Sequence, residues 1–301
     1  MSSLKQFSAF WPDPTQELLL KSILLDGRDG ALAWEEWSNT VNFDDLDYDA
    51  CCLVPILYAT LTAKGIETPL LPRMKGIYKK HWVKNGLQYR QLMGLLQLFH
   101  ERGLKTIVIR GTAIALRYYR DYGLRPVEEL DLLIQGDDRQ AFEALLKNEG
   151  WRGAIDPPVK NTRRFLHPQK PVKVDLYESA YATGVEVSPD DGKARKEFRL
   201  WEAAENIIFE GHSLRVLCPL HQLLQILIQG TNTDHVSPYR WVMDACQIII
   251  NTPDLHWGIF WQEARVFGVD ELVNNMVDYL NSEFTVAIPP VYKALGSDRG
   301  L

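Results

Sequence analysis

The sequence is short of the residues that mark specialised environments. Only Cys51, Cys52, Cys218 and Cys246 among 301 residues are cysteine. None forms a CxxC pair and no Cys/His group has zinc spacing, which argues against a disulfide framework or a structural zinc site. The four thiols read as reduced residues in helix cores. No run approaches the roughly 18 apolar residues of a membrane span, and the first residues lack the basic-then-apolar pattern of a secretory leader. The expectation is therefore a cytoplasmic protein with no membrane association. Basic charge is also in short supply, with 33 Lys and Arg against 39 Asp and Glu and a net charge of −6. That argues against nucleic acid as a partner and means that any handling of phosphates needs a cation. Repeats and low-complexity tracts are missing as well. What remains is an ordinary globular composition, long enough for about two domains at roughly 150 residues each.

The pattern divides the chain into three regions: a helical stretch over 1–102, an α/β core over 103–217 and a second helical stretch over 218–301. The first contains a helix that Thr15 would cap, an apolar stripe over Asp49–Ala63, and a long helix opened by Pro72 and ended by Gly103. In the core, Thr106–Ile109 reads as a buried strand followed by a helix over Ala113–Tyr119. Glu129–Ile134 reads as a second strand, and Asp137 with Gln140 as a capping box. Two hairpins follow, Arg163–Leu166 with Val172–Tyr177, and Asn206–Phe209 with Ser213–Leu217. The last region holds four helices and a tail opened by Pro289-Pro290, with Asp234-His235 in a loop. Strand, helix, strand, helix and then hairpins predict an α+β fold with a mixed sheet.

Chemistry concentrates on the middle strands. Alternation places Leu130, Leu132 and Ile134 on one face of their strand and Glu129 and Asp131 on the other. Like charges so close disfavour each other unless a cation sits between them, and hard cations such as Mg²⁺ favour carboxylates. On the later strand Lys173, Asp175 and Tyr177 share a face. If that strand is a neighbour, Asp175 joins Glu129 and Asp131 as a third carboxylate, the donor set of a two-metal phosphoryl-transfer site. Arg110-Gly111-Thr112 lies between a strand end and a helix. Glycine there admits a phosphate close to the backbone, and the Thr112 hydroxyl and following amides point to phosphate oxygens. Arg110, Arg125 and Lys173 supply positive charge to the same region.

The order of these elements resembles the nucleotidyltransferase superfamily with the DNA polymerase β-like fold. Arg110-Gly111-Thr112-Ala113, Leu116-Arg117-Tyr118-Tyr119 and the run from Arg125-Pro126 through Glu129-Leu130-Asp131-Leu132-Leu133-Ile134 resemble one bacterial family within it, the uncharacterised nucleotidyltransferases, sometimes called nucleotidyltransferase family 5. Gly150-Trp151, Val174-Asp175-Leu176-Tyr177 and Arg240-Trp241-Val242-Met243-Asp244 extend the resemblance over most of the chain. Glu129 stands where the family pattern has aspartate, and Arg110 where lysine is common. The resemblance implies Mg²⁺, one or two ions with Mn²⁺ as substitute, held by Glu129, Asp131 and Asp175. It implies a nucleoside triphosphate on Arg110, Gly111, Thr112, Arg125 and Lys173. The implied reaction moves the nucleoside monophosphate to a hydroxyl of a small molecule, peptide or protein, with Asp175 helping to deprotonate that hydroxyl. The longer side chain of Glu129 opens an alternative: a degenerate member that binds a nucleotide or a protein partner as a scaffold or regulator.

Overall fold

The computed structural model describes residues 10–154, 162–181, 193–231 and 237–284. Asp234-His235 and the Pro289-Pro290 tail lie outside them. In chain order the elements are α1 (Pro14–Leu24), α2 (Gly27–Thr40), α3 (Tyr48–Ala63), α4 (Leu71–Glu101), β1 (Thr106–Val108), α5 (Arg110–Ile114), β2 (Glu129–Ile134), α6 (Arg139–Asn148), β3 (Arg152–Gly153), β4 (Thr162–His167), β5 (Lys170–Tyr177), α7 (Lys193–Ala203), β6 (Glu205–Phe209), β7 (His212–Val216), α8 (Pro219–Gly230), α9 (Pro238–Ile250), α10 (Trp257–Phe267) and α11 (Asp270–Phe284). No helix among the described residues is long and apolar enough to cross a membrane.

The described chain forms two compact units, one from residues 10–47 and 219–284 and the other from residues 48–154, 162–181 and 193–218. Helices α3 and α4, grouped by the sequence pattern with the region 1–102, therefore belong with the sheet. The physical reason is the face that α4 buries. Tyr89, Leu92, Leu95 and Phe99 pack into the same apolar core as Leu130, Leu132 and Ile134 of β2 and Phe142, Leu145 and Leu146 of α6.

The sheet has seven strands in the order β3-β4-β5-β2-β1-β7-β6. β2 runs parallel to β5 and antiparallel to β1, while β1 runs parallel to β7, so the α+β architecture with a mixed sheet is observed. β2 thus has a partner on each side, and its Leu130, Leu132 and Ile134 are all but completely buried. Burial of three such side chains is worth about 5–9 kcal/mol at the usual 1.5–3 kcal/mol each. That stripe sets which face the intervening residues present.

In the helical unit α1 and the residues before it meet α9 and α11. The Trp241 indole donates to the Phe10 carbonyl at 2.9 Å, Lys21 pairs with Glu283 at 2.7 Å and the Tyr279 hydroxyl donates to Glu17 at 2.9 Å. Gly230 leaves no room for a Cβ, which would lie 2.6 Å from the Trp241 ring.

Two helix starts differ from the sequence expectation. Asp13 rather than Thr15 caps α1, accepting from the Gln16 amide at 2.9 Å while Gln16 Oε1 accepts from the Asp13 amide at 3.0 Å. Aspartate there is followed by Pro14 in the first turn, where a missing N–H costs nothing. The Asp137–Gln140 box does not form. A 3₁₀ turn over Gly136–Asp138 leads into α6 instead, and the Asp138 amide is satisfied by the Gln135 carbonyl at 3.0 Å. The helix expected over Ala113–Tyr119 is α5 running into a π-helical turn over Ala115–Tyr119, which stops at Arg120 with φ 54°.

The loop into β2 is laced to α4. Asn85 is fully buried and its amide donates to the carbonyls of Tyr122 and Arg125 at 2.6 and 2.8 Å. Its Oδ1 accepts from the Val127 amide at 3.2 Å. Lys84 holds both oxygens of Glu128 at 2.8 Å, and Tyr78 donates to Asp121 at 2.9 Å. Asn85→Ala would orphan three backbone groups, two of them in buried bonds. At about 1–3 kcal/mol for each unsatisfied group, partly relieved by water, urea unfolding is expected to show a loss of about 2–4 kcal/mol.

Candidate functional site

The site grows from the pairing of β2 with β5. Their parallel register sets Glu129 beside Lys173, Asp131 beside Asp175 and Leu133 beside Tyr177. All of these lie on the face opposite the leucine stripe, as the alternation predicts. Asp131 is 4% exposed and Asp175 is fully buried, whereas Glu129 is half-buried at the strand's entrance and Lys173 is exposed.

Asp131 carries the strongest electrostatic tension. Burial pushes its carboxyl well above the ordinary carboxylate range, and the charges of Glu129 and Asp175 push it further. The Arg110 charge and a hydrogen bond from Tyr177 oppose that rise. Its Oδ1 is buried and has no hydrogen-bond partner. Burial also raises the Tyr177 hydroxyl, with Asp131 adding to it. The Arg110 guanidinium lies 4.3 Å from the centre of the Tyr177 ring.

A residue the sequence reading missed completes the cluster. Arg164 on β4 grips Asp175 with two parallel bonds, Nε to Oδ1 at 2.8 Å and Nη2 to Oδ2 at 2.6 Å. The same Nη2 stands 3.9 Å from Glu129. The pair raises the Arg164 guanidinium above its usual range. A usable signal was present. In the β4–β5 hairpin Arg164 is directly opposite Asp175, and facing residues of opposite charge attract.

Among the described residues no three His, Cys, Asp or Glu side chains are grouped to hold a metal ion. Of the three carboxylates expected to meet at a metal, Asp175 on β5 is bonded across to Arg164 on β4. Glu129 and Asp131 do fit a hard cation: the buried, unpartnered Asp131 Oδ1 is an acceptor that a cation would satisfy, and oxygen donors suit Mg²⁺.

The Arg110-Gly111-Thr112 turn adjoins these carboxylates. Ile109 donates its amide to the Asp131 carbonyl at 3.0 Å. Arg110 has φ 55°, a left-handed backbone that costs a non-glycine residue of the order of 1 kcal/mol or more. A Cβ on Gly111 would lie 2.7 Å from the Arg125 guanidinium, so glycine is required for that close approach. Arg125, expected to serve phosphate, is 7% exposed with its guanidinium against Gly111. The Thr112 hydroxyl, expected to face phosphate too, is buried. It donates to the Glu129 carbonyl at 2.9 Å and accepts from the Asp131 amide at 3.3 Å. Thr112 therefore ties the turn to the strand bearing the carboxylates.

The raised Asp131 carboxyl gives a pH-dependent expectation. Its folded pKa lies above the unfolded value of about 3.9, so the folded protein prefers the neutral form. Stability present below that unfolded value is lost as pH rises through the folded one. Asp131→Asn, neutral at every pH, is expected to melt at a higher temperature than wild type at pH 7–8, with the gap narrowing toward pH 4. Thermal melts across that range check it; a constant gap contradicts it.

No curated protein matches the sequence. Among solved structures, ANT(2'')-Ia in complex with adenylyl-2''-tobramycin is 14% identical, with a TM-score of 0.38 and coverage of 66% of this chain and 97% of that one. LnuA, a lincosamide antibiotic adenylyltransferase with lincomycin bound, is 11% identical, with a TM-score of 0.37 and coverage of 53% and 94%. An antigenic nucleotidyltransferase-like protein from Paracoccidioides brasiliensis is 16% identical, with a TM-score of 0.37 and coverage of 64% and 89%. Residues 50–284 match a family described as uncharacterised nucleotidyltransferase. That match spans most of the chain, core and flanking helices alike, and the protein belongs to the uncharacterised nucleotidyltransferase family.

Proposed function

We propose that the protein transfers a nucleoside monophosphate from a nucleoside triphosphate to a hydroxyl-bearing acceptor, a small molecule or a peptide or protein side chain. The observation that carries this reading is the unpartnered Oδ1 of Asp131, buried beside Glu129 and next to the Gly111 turn. A divalent cation, Mg²⁺ or Mn²⁺, held by Glu129 and Asp131 would neutralise charge on the triphosphate.

The chain's own residues have separate tasks. The Gly111 backbone accommodates the phosphates, and the Arg110 guanidinium and exposed Lys173 ammonium offset their charge. Tyr177 holds Asp131 by its hydroxyl, and Thr112 holds the β2 backbone at both carboxylate positions. The acceptor oxygen attacks the α-phosphorus in line with the bond to the β-phosphate oxygen. The new O–P bond forms as that bond breaks. Pyrophosphate leaves with the electron pair, and the acceptor proton passes to solvent or to a carboxylate of the cluster.

A second reading is favoured by Arg164. A guanidinium fixed on Asp175 occupies part of the cluster, as in a protein that binds a nucleotide without transferring it. Incubation with Mg²⁺, α-labelled triphosphates and a panel of hydroxyl acceptors separates the two. The first reading expects nucleotide binding and pyrophosphate release. Asp131→Asn and Glu129→Ala should then lower the rate by about 10²-fold or more, the scale of losing a preorganised electrostatic contact. Binding with no release for any acceptor supports the second. No binding of Mg-ATP or Mg-CTP, or equal binding by the double variant, overturns both.

A further inference from the structure

We infer that the Arg164 guanidinium stands in for a second cation, so that the site takes one divalent ion rather than two. The inference rests on the transfer reading above and narrows its metal requirement.

Three observations point the same way. Both oxygens of Asp175 already accept from one planar guanidinium, at 2.8 and 2.6 Å. A side-on pair of this kind uses the carboxylate's two oxygens together and is about twice as strong as a neutral contact. The same guanidinium is 3.9 Å from Glu129 and so contacts the first carboxylate as well as the third. Its place is set by the hairpin, since Arg164 and Asp175 are directly opposed across β4 and β5. Last, one carboxylate oxygen in the cluster, Oδ1 of Asp131, is buried and left without a donor.

A second divalent ion at Asp175 would have to displace a bidentate guanidinium from both oxygens of a fully buried carboxylate.

The test is a Mn²⁺ count on the full chain, by electron paramagnetic resonance, at saturating Mn²⁺ with an α,β-methylene nucleoside triphosphate. The expected result is one ion per chain. Asp175→Asn should keep one ion, with affinity within about threefold (under 1 kcal/mol), because Asp175 is not a ligand. Arg164→Ala, if it folds, should acquire a second, weaker ion, and Arg164→Lys should stay at one. Two ions on the wild type overturn the inference and leave the transfer reading intact. So does loss of the ion in Asp175→Asn, or a count of one in folded Arg164→Ala. No ion on the wild type overturns the transfer reading itself and this inference with it.

Discussion

Two aspartates held side by side govern this molecule. The parallel pairing of β2 with β5 puts Asp131 and Asp175 on adjacent strands, in register and on one face. Neighbouring strands are only about 4.8 Å apart, and at that separation two buried carboxylates repel strongly. The fold answers each differently. Asp175 is neutralised by a guanidinium from the next strand along, and Asp131 keeps an oxygen without a donor and an upward-shifted proton affinity. Identical groups in matched positions thereby acquire different chemistry. The difference originates in strand order: β5 lies between β2 and β4, so the arginine of β4 faces Asp175 and reaches Glu129 only at its far end.

The sheet's central parts were legible in the sequence because each rests on a local pattern. The span Glu129–Ile134 follows from an alternation broken by polar residues at both ends, and both hairpins follow from apolar runs around short polar turns. The gathering of Glu129, Asp131 and Asp175 on one face was readable for the same reason. Arg164 was not, because its meaning depends on a partner 11 residues away across a hairpin whose register had to be counted. The inward bonds of Thr112 and the burial of Arg125 were not legible for a related reason. A polar residue beside a glycine turn reads as reaching outward, whereas both reach back to brace the strand and the turn. The two-residue β3 is too short to stand out, and the domain grouping of α3 and α4 depends on which surface their apolar stripe finds.

The brace around the site has an energetic side. Arg110 in a left-handed backbone and a raised Asp131 both oppose folding locally. They persist because the stripe of β2 and the α4 core over-determine the strand's position. Local disfavour supported by a large common core is the usual balance at sites poised for a ligand, and it is why neutralising such a residue tends to stabilise while it disables.

Helix α4 contacts the loop before β2 through Tyr78, Lys84, Asn85 and Gln88, residues that share one side of the helix. Their partners are Asp121, Tyr122, Arg125, Val127 and Glu128, an unbroken approach to Glu129. How far the first carboxylate stands from the strand's mouth is consequently gauged from outside the sheet, by a helix, as a workpiece is held against a fence. The ladder hydrogen bonds set Asp131 against Asp175, while the entrance at Glu129 is set by the loop that α4 holds.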